Sequence, residues 1–228
     1  MHNNKIKNFI TDKYDPVKLL IAKHKALAYP YKCSFNIASL IIEKGVFCPT
    51  LTNVSSLLLS AIDFKAGESV LDVFSGSGVF GIIAALHGSK VVTVDISKKA
   101  VNCTRTNIRL NRVDGKVDAR LGTVRDCIVL EETFDLIIAN PPLLPGNPSD
   151  SITASIFDPG LQATIDFVTF LPLHLAKGGR CYLIISDMFN RYGYNLSKLC
   201  FENNLVAMPA VKKDLGYETY TAYKICHL

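Results

Sequence analysis

The sequence predicts one α/β domain built on a mostly parallel, seven-stranded sheet, with helices on both faces and one antiparallel strand near the C-terminus. Three observations carry this reading. From residue 68 onward, short apolar runs alternate with segments of helical length, as in a sheet whose strands are joined by crossover helices. A glycine turn, Gly76-x-Gly78-x-x-Gly81, joins the first run to the first helix. The last two runs follow one another with no helix between them, so they pair as a hairpin and set one strand antiparallel.

In order, strands are expected at 68–73, 90–95, 116–121, 134–139, 180–186, 205–211 and 218–225. The helices between them fall at 79–87, 97–110, 124–130, 159–176 and 190–203. Upstream, 15–28 reads as a helix, with Asp15 able to cap it and Pro16 suited to its first turn. Tyr29-Pro30 ends that helix. Residues 31–52 show no clear period. Within them, Gly45-Val46-Phe47-Cys48-Pro49-Thr50 looks like a short extended piece leading into a helix at 53–62. The expected division is a basic, partly helical extension over 1–45 and the main domain over 46–228.

Composition narrows the class. Of 228 residues, 49% are hydrophobic and 20% charged, which suits one globular domain with a sizeable core. No apolar run approaches the roughly 18 residues that span a bilayer. The polar start, Met1-His2-Asn3-Asn4-Lys5, lacks the apolar stretch of a signal peptide. Seven scattered cysteines without a Cys-x-x-Cys pair fit free thiols in a reducing cytoplasm. The net charge of +5 is carried by the first 45 residues, where eight lysines face three acids. Such an arm suits contact with a polyanion such as RNA; its plain alternative is a solvated helical face.

The glycine turn lies in Asp72-Val73-Phe74-Ser75-Gly76-Ser77-Gly78, and Asp95-Ile96 follows the second strand. Alone, this loop fits either a dinucleotide or S-adenosylmethionine (SAM). Asp72 separates them, because a carboxylate facing the loop repels a pyrophosphate but favours the ammonium and sulfonium of SAM. Asp95 is placed to accept from both ribose hydroxyls, its alternative being an N-cap, a part Ser97 also fits. Gly122 and Thr123, after the third strand, are expected at the adenine edge. There the chain offers only Thr123 or backbone to the adenine amino group.

The fourth strand runs into Asn140-Pro141-Pro142-Leu143. On this element and the glycine loop, residues 46–186 resemble the class I methyltransferases with an Asn-Pro-Pro-[aromatic] motif. That group includes the HemK/PrmC-like glutamine methyltransferases and the MTS-type (methyltransferase small domain) family. The resemblance implies a Rossmann-like SAM-methyltransferase fold and transfer of a methyl group to nitrogen. An amide or exocyclic amino nitrogen has a delocalised lone pair. Acceptance of its hydrogens by the Asn140 side chain and the Pro141 carbonyl localises that pair, while the prolines stiffen the turn. Asn140 is thus expected to touch both cofactor and acceptor. Leu143 stands where the motif usually has an aromatic ring, which weakens stacking on a flipped base. Leu143 and Leu144 are expected to line the acceptor, and 144–151 to form an irregular lid. Val46-Phe47-Cys48-Pro49 with Asn53 and Ser55 resembles the segment that, in the same families, touches the methionine end of the cofactor. The acceptor stays open among a protein glutamine, an RNA base and a small metabolite. The alternatives of another class are a non-catalytic SAM-fold binding module and an NAD-dependent oxidoreductase.

Overall fold

The computed structural model describes residues 15–228; the lysines at 5, 7 and 13 of the expected basic arm lie outside the described residues. The chain begins with α1 (Pro16–Ala26), where Asp15 accepts from the N–H groups of Val17 and Lys18 and Pro16 occupies the first turn. A hairpin follows, β1 (Tyr31–Phe35) and β2 (Ala38–Ile42), then a 3-10 turn (Pro49–Leu51) and α2 (Asn53–Ala61). The alternating part runs β3 (Ser69–Val73), α3 (Val79–Leu86), β4 (Lys90–Asp95), α4 (Lys98–Leu110), β5 (Val117–Leu121), α5 (Val124–Cys127) and β6 (Phe134–Ala139). Two short strands, β7 (Leu144–Pro145) and β8 (Phe157–Asp158), precede α6 (Gln162–His174) and β9 (Leu175–Ser186). The chain ends with α7 (Met188–Arg191), α8 (Leu196–Glu202), β10 (Leu205–Asp214) and β11 (Thr219–His227).

Seven strands form one sheet in the order β10-β11-β9-β6-β3-β4-β5. Only β11 is antiparallel to its neighbours, as the missing helix before it predicts. The chain winds outward from β3 through β4 to β5, then returns to the other side of β3 with β6. That reversal makes the carboxyl ends of β3 and β6 a switch point, where a crevice opens in sheets of this kind.

The central strands β3, β6 and β9 are buried on both faces, and successive side chains enter opposite cores. From β6, Leu136 and Ile138 join a cluster with the hairpin, α2, α3 and α4, while Ile137 and Ala139 join one with α6 and α8. The hairpin belongs to the first cluster through Phe35, Ala38, Leu40 and Ile42. The segment read as one helix over 190–203 is two short helices, because Gly193 takes φ 98° between them.

The outer edge strand β10 carries Pro209, a bulge between Pro209 and Val211, and exposed Lys212 and Lys213. All three features discourage pairing with another sheet.

Candidate active site

The parallel register lines up the ends of the strands. Val73 is level with Val94 on one side and Ala139 on the other, and Asp95 is level with Leu121. One residue further along their chains come Phe74, Asp95 and Asn140, past the last pairs of β3 with β4 and β6. Strands stand about 4.8 Å apart, so two spacings put Asp95 and Asn140 about 10 Å from each other along this edge.

The glycine loop is held from several sides. Phe74 takes a left-handed φ of 58°, and the Ser75 N–H donates to the Val94 carbonyl at 3.2 Å. The Gly76 N–H donates to Asp95 Oδ2 at 2.9 Å. Gly78, at φ 77°, begins α3, and the Gly78 N–H donates to the Ser75 carbonyl at 2.7 Å. A Cβ on Gly78 would come within 2.5 Å of Thr104 Cγ2. That close approach lets the Thr104 hydroxyl donate to the Gly76 carbonyl at 3.0 Å, while Asn107 Nδ2 donates to the Ser77 carbonyl at 3.0 Å. Thr104 and Asn107 were not legible as site residues. In sequence they are two polar residues on a helix, and only the docking of α4 turns them toward the loop.

Asp72 is buried beneath the loop rather than open to it. Its Oδ2 accepts the Gly81 N–H at 2.9 Å, and burial, opposed by that bond and aided by nearby Asp95, pushes its carboxyl up to about 7. Gly81 allows this, since a Cβ there would lie 2.7 Å from Thr93 Cγ2 and 3.3 Å from Asp72 Oδ2. Asp95 accepts from the Ser97 N–H at 2.8 Å through Oδ1, and Ser97 is the N-cap of α4. Each Asp95 oxygen thus keeps acceptor capacity beyond its one bond. Burial also raises the Asp95 carboxyl, against its two backbone hydrogen bonds.

At the far end of the edge, Ile96 and Leu121 are exposed, being 74% and 49% accessible. Gly122 takes φ 150°, with its N–H on the Asp95 carbonyl at 3.0 Å. The Thr123 N–H and hydroxyl both donate to Asp126 Oδ2, at 3.1 and 2.6 Å. This capping box occupies the Thr123 donors and sets a carboxylate beside the loop, one the reading of the sequence did not place there. The Thr123 bonds hold the Asp126 carboxyl below the usual range.

Asn140 and Pro142 are half-buried and Pro141 is buried. The Asn140 side chain has no hydrogen-bond partner among the described residues. Leu143 packs against the first core cluster, and Leu144 is half-buried with its N–H on the Ile156 carbonyl at 3.0 Å. The stretch expected to be irregular, 144–151, is so after the two residues of β7, and contacts from the residues that follow brace it. β7 pairs with β8 in parallel, Asp150 and Thr153 bond reciprocally, and Ile152 and Ile156 are buried. It reaches α1 through a Lys25–Asp150 ion pair at 3.3 Å, and Ser151 Oγ lies so close to Gly45 that a Cβ there would be 2.5 Å from it. The segment 46–50 is fixed in turn by His24, whose Nε2 accepts from the Cys48 N–H at 3.0 Å.

Two hydroxyls on these elements are buried without a partner in the described structure: Ser75 Oγ in the loop and Ser55 Oγ in the first turn of α2. Orphaned donors of this sort fit a site made for a polar ligand. Together with the spare acceptors of Asp95, they suit a nucleoside carrying an amino acid.

The chain matches the family model for the methyltransferase small domain over residues 38–218, and it belongs to that family. It is thus a class I, SAM-using methyltransferase domain of the MTS type. The chain is 40% identical over 104 residues to the ribosomal protein L11 methyltransferase of Aquifex aeolicus, covering 44% of this chain and 40% of that protein. It is 32% identical over 164 residues to the ribosomal RNA small subunit methyltransferase C of Salmonella arizonae, covering 68% of this chain and 43% of that protein. The matches span less than half the length of both relatives. Among solved structures, the 16S rRNA N2 G1207 methyltransferase of T. thermophilus, in complex with AdoMet and guanosine, shares the fold. Its TM-score is 0.63 at 22% identity, over 86% of this chain and 49% of that one. Among the described residues, no helix is long and apolar enough to cross a membrane.

Proposed function

We propose that this protein transfers the methyl group of SAM to an amide or amino nitrogen of a macromolecular acceptor. The observation that carries the reading is the placement of Asn140-Pro141-Pro142 at the switch point, directly after Ala139, which is level with Val73 at the start of the glycine loop. Asp95 would take the ribose hydroxyls, the 74–78 loop and Ser75 the methionine end, and Ile96, Gly122 and Asp126 the adenine. SAM supplies an electrophilic methyl group. The part of this chain is to aim the acceptor lone pair at it, through the Asn140 side-chain oxygen and the Pro141 carbonyl. No side-chain base is needed, since the nitrogen's proton can leave to water. A macromolecular acceptor is supported by the two relatives, which are named for a ribosomal protein and for ribosomal RNA.

The test is to incubate the pure protein with radiolabelled SAM and fractionated cell extract. Label in RNA or protein, lost with Asn140→Ala, is the expected result. SAM binding with no transfer to any fraction would leave a binding module instead.

A further inference from the structure

We infer that the exposed side of α4 is a docking surface for an RNA backbone. The inference rests on the reading above and deepens it by naming the acceptor class. Lys98, Asn102, Arg105 and Arg109 recur at intervals of four, three and four, which sets them in one file along the helix. All four are exposed. Asn107 and Asn111, which hold the hairpin, lie on the opposite side of the helix. The file runs about 16 Å at 1.5 Å per residue, or about five phosphates at the 3.4 Å rise of one strand.

These cations are not spent inside the protein. Among the described residues none of Lys98, Lys99, Arg105 and Arg109 forms an ion pair, and the first turn of α4 contains no acid. Lys98 and Lys99 stand at the positive end of the helix dipole, where a cation is disfavoured. Asp95, whose Oδ1 takes the Ser97 N–H, offsets part of this charge, and cations at a disfavoured place are among the departures expected at functional sites. Arg105 donates to the Ala119 carbonyl at 2.9 Å and keeps further N–H groups for a phosphate. The acids nearby are Asp95 and Glu43 at the near end, and at the far end Asp114 and Asp118, which line a groove with Arg105 and Arg109; Asp118 is already paired with Arg120.

The near end joins a second basic element. The Lys99 side chain lies against Gly45, 3.5 Å from the position of a Cβ there, next to exposed Lys44. The exposed Lys23 and Lys32 lie upstream in the same segment, with Lys18 and Lys25, which are paired with Asp15 and Asp150. The two runs of positive charge therefore meet at Lys99 and Lys44, four residues beyond Asp95. A phosphate backbone matches such a line of one sign, because each cation displaces a condensed counterion.

The experiment measures fluorescence anisotropy of a labelled 20-nucleotide RNA of mixed sequence between 50 and 200 mM salt. The parent is compared with the double variant K98E/R109E, whose two side chains make no internal hydrogen bond. The expected result is at least a tenfold loss of affinity, with a log–log salt slope shallower by about 1.4, from two phosphate contacts of about 0.7 each. Calorimetric SAM affinity should be unchanged, which shows the variant folded. Equal affinity and slope in parent and variant would overturn the docking surface and leave the methyltransferase reading standing. A parent that binds no RNA but labels protein would overturn the RNA assignment alone. Failure to bind SAM would remove the reading beneath both.

Discussion

The side-chain amide of Asn107 donates to the Ser77 carbonyl at 3.0 Å, and its oxygen accepts the Ile41 N–H at 2.7 Å. One buried residue of α4 thus ties the N-terminal hairpin to the glycine loop. Asn107→Ala should destabilise the fold by about 1–3 kcal/mol for each backbone group left unpaired. It should also weaken SAM binding, since the loop loses a tether. Denaturant titration and calorimetry on one preparation check both effects; an unchanged unfolding midpoint would mean the contact contributes little.

Gly78→Ala should reduce SAM affinity more than Asn107→Ala does. A methyl group there meets Thr104 at 2.5 Å, and the residue must hold φ 77°. Pairing it with Thr104→Gly relieves the clash but not the backbone strain. The double variant should therefore recover part of the affinity in calorimetry, and full recovery would show that the strain is immaterial.

Asn140→Ala should lower turnover by about a hundred- to thousand-fold, the size expected for losing one preorganised partner of the transition state. SAM affinity should stay within a few-fold, because the residue acts on the acceptor. Asn140→Asp keeps an acceptor oxygen and should retain more activity than the alanine variant. Near-normal turnover in Asn140→Ala would point to a nucleophile other than nitrogen.

Asp72 makes stability depend on pH. Its carboxyl is pushed up to about 7 in the fold, so from about pH 4 to pH 7 the unfolded chain ionises while the folded one stays protonated. Stability is full below that window and falls as pH rises through it, by up to about 4 kcal/mol. Asp72→Asn should remove this slope, giving a variant that gains on the parent between pH 5 and 7. Denaturant midpoints across that range provide the measurement, and parallel curves would rule the effect out.

His24 gives the opposite sign. It is buried, with Nδ1 on the Leu20 carbonyl at 2.9 Å and Nε2 accepting from Cys48, and burial holds its pKa below the ordinary 6.5. The neutral ring is the one that fits, so α1 should loosen as pH falls below about 6.5. Hydrogen exchange of α1 amides, corrected for intrinsic rates, should speed up relative to β3 between pH 7 and 5.5. Equal protection throughout would show that α1 is not held by this ring.

The sheet and the glycine loop were legible because the signals are local. Val70-Leu71 and Leu136-Ile137-Ile138 read as buried strands, and Gly76, Gly78 and Gly81 mark a turn that side chains would block. The hairpin was not legible. Lys32, Ser34 and Ser39 are exposed and polar, the apolar Ile37 is exposed at 55%, and the turn depends on Asn36 at φ 53°. Its strands are set by contacts 66 and 72 residues away, to Asn107 and Asn111, and no local pattern announces these. Asp126 escaped notice for another reason: Thr123-Val124-Arg125-Asp126 is a local capping pattern, and nothing in it marks a carboxylate beside the loop.

The pairing of Ser39 with Asn111 has a consequence for synthesis. Asn111 takes both the N–H and the carbonyl of Ser39, at 2.9 and 2.7 Å, much as a neighbouring strand would. A ribosome makes Ser39 72 residues before the partner that completes it. At about 5–20 residues per second, the hairpin waits roughly 4–14 s for α4 to emerge, with its apolar side uncovered. In vivo, that interval is when the nascent chain is most open to chaperones, and a pause in translation just before residue 111 would lengthen it.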